Sequence, residues 1–247
     1  MKQTRLLMGM PITVELLDPG VATEQLDAVF DFFSSVDERF SLYKEESEIS
    51  RINRGELRPE DYSDDMRTVL ALCERTKQQT DGYFEIVHDG RLDPSGVVKG
   101  WAIQQAAKRL RLAGWRNFYI DAGGDIELAG TNDGAPWRVG IRNPFRRQEN
   151  VKVLTLTDCG VATSGTAVRG QHIYDPYQPG VPLREVLSLT VIGPNVCEAD
   201  RFATAAFAMG RRGIQFIEAL PDFEGYQIDA GARATFTNGF ERYVVHE

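Results

Sequence analysis

The spacing of apolar and polar positions changes along the chain, and each change predicts an element. Residues 10–17 (MPITVELL) alternate, as a strand with one buried face does. Leu26, Val29, Phe30, Phe33, Val36 and Phe40 then recur at helical spacing, which predicts an amphipathic helix over 24–40. Residues 40–53 read as a loop entering a short helix, with Ser47 and Ser50 supplying capping chemistry. A second long helix is predicted over 64–80, ending before Asp81-Gly82. A third runs from about Gly100 to Leu112 and stops at Gly114. Strand-like runs follow at 117–123, 124–130, 137–143, 151–157, 160–165 and 187–193. Residues 199–209 and 211–220 read as helical, and the tail reads as a closing hairpin around Asn238-Gly239.

Helices and antiparallel-looking strands mix without a strict βαβ rhythm, which predicts an α+β fold. No repeat, low-complexity tract or linker divides residues 1–247, so one compact domain is expected, with mixed, largely antiparallel sheets and flanking helices.

Composition narrows the function. The chain has 28 basic and 36 acidic side chains, a formal net charge of −8, which argues against a nucleic-acid backbone as partner. A phosphorylated small molecule stays open, given a local device: a divalent cation, a lysine or the amides of a glycine turn. Cys73, Cys159 and Cys197 lie far apart with no zinc spacing, which suits a reduced compartment. The N-terminal apolar stretch is interrupted by Pro11 and Glu15, and no apolar run approaches the roughly 20 residues of a membrane span. A cytoplasmic protein without membrane insertion is expected.

Four segments carry candidate chemistry. Asp93 to Lys99-Gly100 opens the third helix, where free amides beside a lysine can hold phosphate; taken alone, Lys99 reads as a solvated surface residue. Asp121-Ala-Gly-Gly-Asp125 reads equally as a tight turn or as a close backbone approach to a ligand. Gly160 to Thr166 places small hydroxyl residues at a strand end. His172, one of three histidines, follows and is the best-placed candidate general base. Asp200 and Thr204, four apart, share a helix face and could present oxygens to a hard cation; read alone, Asp200 caps the helix and Thr204 packs beneath it.

In order, these segments resemble the ApbE family, the FAD:protein FMN transferases. The resemblance covers nearly the whole chain: Met8-Gly9-Met10, Phe40 to Tyr43, Ser47 to Asn53, Asp81 to Glu85, Asp93 to Gly100, Ala122 to Asp125, Trp137 to Pro144, Thr163 to Gly165, His172 to Pro176 and Ala199 to Thr204. It implies an enzyme that splits the FAD pyrophosphate and moves FMN onto a Ser or Thr of an acceptor flavoprotein, releasing AMP. By position, Asp200, Thr204 and the carbonyl of Gly96 match the family's magnesium ligands. Asp93 and Lys99 match FAD-contacting positions, and Tyr83, Phe84 and Glu85 a flavin-binding stretch, with Met8 and Tyr43 as flavin neighbours. Gly123, Gly124, Thr163, Ser164, Gly165 and Leu187 complete the expected FAD site. His172 matches the residue proposed to activate the acceptor hydroxyl. Two alternatives share the same residues: an FAD pyrophosphatase, and a non-catalytic FAD-binding protein. The chain departs from the family pattern at Glu85, in a shortened stretch before Asp93, and at Tyr177 to Gly180.

Overall fold

The computed structural model describes residues 1–146, 148–165 and 173–246. Its frame is an antiparallel sheet in the order β1-β2-β5-β6-β9-β10-β11-β12. The strands are β1 (Lys2–Leu7), β2 (Met10–Leu16), β5 (Phe118–Ala122), β6 (Asp125–Ala129), β9 (Gly160–Gly165), β10 (Val186–Gly193), β11 (Glu224–Asp229) and β12 (Ala234–Phe236). Two further hairpins stand apart from it: β3 (Val87–His88) with β4 (Arg91–Leu92), and β7 (Trp137–Arg142) with β8 (Asn150–Leu156).

Period-two alternation decides which face of the sheet the helices cover. Ile12, Val14 and Leu16 are fully buried and pair in register with Ala122, Ile120 and Phe118. These residues meet the apolar stripes of α1 (Thr23–Phe40), α3 (Asp64–Gln79) and α4 (Ser95–Leu112) in the main core. Between α1 and α3 lies the short α2 (Glu48–Asn53), whose Ser47 side chain caps the Ser50 amide at 3.2 Å, as expected. A second core forms beneath the β7–β8 hairpin, where Trp137, Leu154 and Leu156 meet Tyr226 and Phe240. A third lies under α5 (Val196–Ala208) and α6 (Gly213–Glu218), around Leu189, Val191, Phe202, Phe207 and Ile217. The α+β class and the single compact domain are as expected.

Three expectations change. The helix placed at Gly100 begins at Ser95, behind Pro94, because Asp93 Oδ1 accepts the Ser95 N–H at 2.9 Å and starts it one turn early. Gly96 and Gly100, both poor helix formers, hide that first turn in the sequence. The closing turn is not at Asn238-Gly239. It spans Asp229 to Arg233, where Asp229 Oδ1 accepts the amides of Gly231 and Arg233, and residues 240–243 form a 3₁₀ turn. Edge strand β1 and β11 were not anticipated. In β11, Gly225 weakens the strand signal but admits α6, since a Cβ there would lie 2.9 Å from Ile214 Cδ1.

Candidate active site

The site is built where α4, α5 and β6 converge. The helices approach very closely at Gly100: a Cβ there would lie 2.7 Å from Asp200 Cβ and 3.0 Å from Cys197 Cα. That proximity lets the Gly100 N–H, inside α4, donate to Asp200 Oδ2 of α5 at 2.8 Å. Lys99 ion-pairs with Asp125, and its Nζ also lies 3.6 Å from Asp200 Oδ1. The second oxygen of Asp125 accepts the Thr163 N–H at 3.0 Å, which ties the end of β6 to β9.

Two carboxylates therefore share one ammonium in a nearly closed space, Asp125 and Asp200 being 1% and 3% exposed. Burial pushes the Asp200 carboxyl up to about 8; Lys99 opposes the shift and the neighbouring Asp125 adds to it. Were both carboxyls ionised, the cluster would carry one negative charge more than Lys99 balances, so a bound cation would favour the ionised form of Asp200. One helical turn beyond Asp200, Thr204 reaches the first turn of α4: a Cβ at Gly96 would lie 3.3 Å from Thr204 Cγ2 and 3.0 Å from the Phe84 ring. Gly96, Thr204 and the buried Phe84 thus converge, and a Cβ at Gly96 would fit only if the two side chains gave by a few tenths of an ångström.

Among the described residues no cluster of three or more His, Cys, Asp or Glu could hold a metal. The donors present are carboxylate, hydroxyl and backbone oxygens. This set suits a hard ion that keeps waters and substrate phosphates in its shell, and it does not suit zinc. By that measure Asp200, Thr204 and Gly96 fit magnesium.

The connection from α3 to α4 carries the expected flavin stretch. Thr80 at the end of α3 accepts the Phe84 N–H at 3.2 Å and so fixes the buried Phe84. Tyr83 packs edge-on against Tyr177 with ring centres 5.0 Å apart, and its hydroxyl accepts from Arg212. Glu85 receives Lys77 Nζ at 2.5 Å and the Val87 N–H at 2.8 Å. Burial raises the Glu85 carboxyl, but Lys77 and the amides outweigh it and hold it below the usual range.

The remaining expected positions divide. Gly123 and Gly124 form the β5–β6 turn with φ of +64° and +98°, which is the tight-turn reading, and they deliver Asp125 to the site. Thr163 pairs its hydroxyl with Thr190 at 2.8 Å. Ser164 is buried; Gly165 lies against Leu187, where β10 shifts register, and a Cβ there would lie 2.6 Å from the Leu187 carbonyl oxygen. Asp93 is exposed at the start of α4. Met8 sits in the β1–β2 turn at φ +51°, and Tyr43 stands 98% exposed between α1 and α2. His172 lies outside the described residues.

Sequence reasoning quoted Asp125 but gave it no role. The signal was there: an acid directly after Gly-Gly, opening a strand that alternates inward. Arg201 was also missed. It is 3% exposed and joins α5 to α3, donating to Gln79 Oε1 at 2.6 Å, to Thr76 Oγ1 at 3.3 Å and to Glu198 at 2.5 Å.

Fold and site together point to one family, and the chain matches its model. The ApbE family model covers residues 8–90 and 87–227, and the chain belongs to the ApbE family. A relative named FAD:protein FMN transferase from Vibrio cholerae is 33% identical over 167 residues, covering 62% of this chain and 50% of the relative. One of the same name from Haemophilus influenzae is 25% identical over 276 residues, covering 82% of this chain and 79% of its own. The chain spans about half the length of the Vibrio relative. Among solved structures, the flavin transferase ApbE from Vibrio cholerae superposes with a TM-score of 0.85 at 24% identity over 98% of each chain. The ApbE protein from Thermotoga maritima gives 0.87 at 19% identity, over 100% of this chain and 99% of its own. These two likenesses establish the fold.

Proposed function

We propose that the protein is a magnesium-dependent FAD:protein FMN transferase. It cleaves the FAD pyrophosphate and attaches FMN to a Ser or Thr of an acceptor flavoprotein, with release of AMP. The observation that carries this reading is the Lys99–Asp125–Asp200 cluster, buried beside Thr204 and Gly96. Its carboxyl oxygens, beside the Thr204 hydroxyl and the Gly96 carbonyl, suit a hard cation that would displace the proton from Asp200. The names of the relatives supply the substrate and the acceptor class.

Phosphoryl transfer needs its charge neutralised, an aligned nucleophile, and a group that takes the proton. Magnesium held by Asp200, Thr204 and the Gly96 carbonyl would supply charge neutralisation at the pyrophosphate. Lys99, already between two carboxylates, has the reach and charge to hold a phosphate oxygen. Asp125 fixes the lysine from behind. Tyr83 and Tyr177, packed edge-on, offer the aromatic surface a flavin ring needs, and the buried Phe84 supports the loop that carries Tyr83. His172 takes the proton from the acceptor hydroxyl. Its oxygen then bonds to the FMN phosphorus while the bridging P–O bond breaks and AMP leaves with the electron pair. The expected cytoplasmic setting belongs to this reading; among the described residues no helix is long and apolar enough to cross a membrane.

Chromatography of nucleotide products tests the reading. FAD with magnesium and an acceptor should yield AMP and little free FMN. FMN and AMP released at full rate without acceptor would make the protein a pyrophosphatase. FAD left intact under both conditions would make it a binding protein.

A further inference from the structure

Glu127 is a charged residue in the interior that this chemistry leaves unexplained. It is 1% exposed on β6, two residues beyond Asp125 and on the same face. Its Oε2 accepts the N–H of Val196, the first residue of α5, at 2.7 Å, and its Oε1 accepts from Arg111 of α4 at 2.9 Å. Directly across the ladder from Glu127 is Gly160, where a Cβ would lie 1.9 Å from that same Val196 nitrogen. The backbone of α5 therefore rests on the sheet at Gly160 with no side chain between them, and Glu127 accepts the first N–H of the helix there.

The spacing ties this contact to the active site. Val196, Asp200 and Thr204 follow one another at four-residue intervals, so they share a face of α5. Four helical residues rise about 6 Å, and two strand residues about 6.6 Å. Two rungs of matching pitch therefore join β6 to α5, running in opposite directions: Asp125–Lys99–Asp200 at one level and Glu127–Val196 N–H at the other. Arg111 extends the second rung to α4, the helix that also carries Gly96, Lys99 and Gly100. Where Glu127 holds the start of this helix therefore bears on how Asp200 and Thr204 meet Asp125 and Gly96. A carboxylate at a helix N-terminus also meets the positive end of the helix dipole.

We propose that Glu127 is a positioning residue for the magnesium-binding face of α5, acting through the Val196 amide. The inference rests on the magnesium-dependent reading of Asp200 and Thr204. It predicts that reach matters more than charge. E127Q keeps the length and an oxygen for Val196. E127D keeps the charge but is one methylene too short.

Both variants and the parent are titrated with magnesium in the presence of FAD, following the melting temperature and, separately, nucleotide product formation. Loss of a group that orients a metal ligand costs about 10–100-fold in metal affinity. E127D should raise half-saturating magnesium by about that factor relative to E127Q, with the cooperative melt retained. Equal half-saturation in the two folded variants would overturn the proposal, as would the reverse order, which would make Glu127 a charge partner for Arg111 only. Should E127D fail to fold, E127Q alone still decides. A magnesium requirement within a few-fold of the parent supports the proposal, and a loss as large as that expected of E127D overturns it. A parent protein that shows no magnesium response at all refutes the reading of Asp200 and Thr204, and with it this inference.

Discussion

Replacing Gly100 by Ala separates the spacing of α4 and α5 from their chemistry. The substitution keeps the N–H that donates to Asp200 and removes no functional group. The added methyl would start 2.7 Å from Asp200 Cβ and 3.0 Å from Cys197 Cα. Carbon atoms settle at about 3.5–4.0 Å, so the two helices must part by about 1 Å at this level. Overpacking of this kind costs about 1–3 kcal/mol. Ala returns about 1 kcal/mol through its better helix propensity. The net loss is then about 0–2 kcal/mol, and a domain of this size loses about 2–4 °C of melting temperature per kcal/mol. Activity should respond far more, because a misplacement of about 1 Å can cost about 100-fold in rate. The assay pairs a thermal melt with FAD turnover under saturating magnesium. A variant that melts within a few degrees of the parent but loses most of its turnover fits the reasoning. Turnover within a few-fold of the parent would show that the α4–α5 approach does not set the site, and the argument from Gly100 would fail.

Lys99→Met leaves Asp125 and Asp200 facing each other without their ammonium, and breaking a buried pair in this way costs about 3–5 kcal/mol; an unchanged melting temperature at neutral pH would contradict the cluster's charge balance. Phe84→Ala empties a buried site against Gly96 and should destabilise by about 3–5 kcal/mol, read from denaturant midpoints; a loss well below 1 kcal/mol would mean that Phe84 is not packed as described. Asp18 gives a pH test away from the site. Burial would raise its carboxyl, but the amides of Asn117 and Arg116 and the Asn117 side chain outweigh that and hold it below the usual range. A depressed pKa stabilises the fold above the unfolded value of about 4, and that stability is lost as pH falls through the folded value. The melting difference between the parent and Asp18→Ala should therefore be constant near neutral pH and shrink below about pH 4; a difference that persists in acid would refute the assignment.

Much of this molecule could be read from spacing. The period-two run at Ile12, Val14 and Leu16 and the helical stripe from Leu26 to Phe40 gave their elements because one face of each is buried and the other is wet. What stayed hidden depends on contacts between distant residues. Gly96 and Gly100 look like helix breakers in sequence, yet they lie inside α4, where Asp200 comes too close for a Cβ at Gly100 and Thr204 and Phe84 leave little room for one at Gly96. Gly225 concealed β11 for the same reason, with α6 pressed against it. Asp200 and Thr204 could be paired by their four-residue interval. Asp125 has a local signal after Gly-Gly, but its pairing with Asp200 and that of Glu127 with Val196 depend on packing that brings β6 to α5, which is a tertiary fact. The four-residue interval gives a shared helix face and nothing more; the close approach of α4 and α5 makes that face the wall of a charged, buried site.

The central claim is FMN transfer at this site, and the intact mass of the acceptor tests it most directly. The protein is incubated with FAD, magnesium and an acceptor flavoprotein bearing an accessible Ser or Thr, and AMP is quantified in the same sample. The account predicts an acceptor heavier by one FMN less water, in step with the AMP released, and no gain when magnesium is chelated. AMP and free FMN appearing while the acceptor mass stays constant would contradict it.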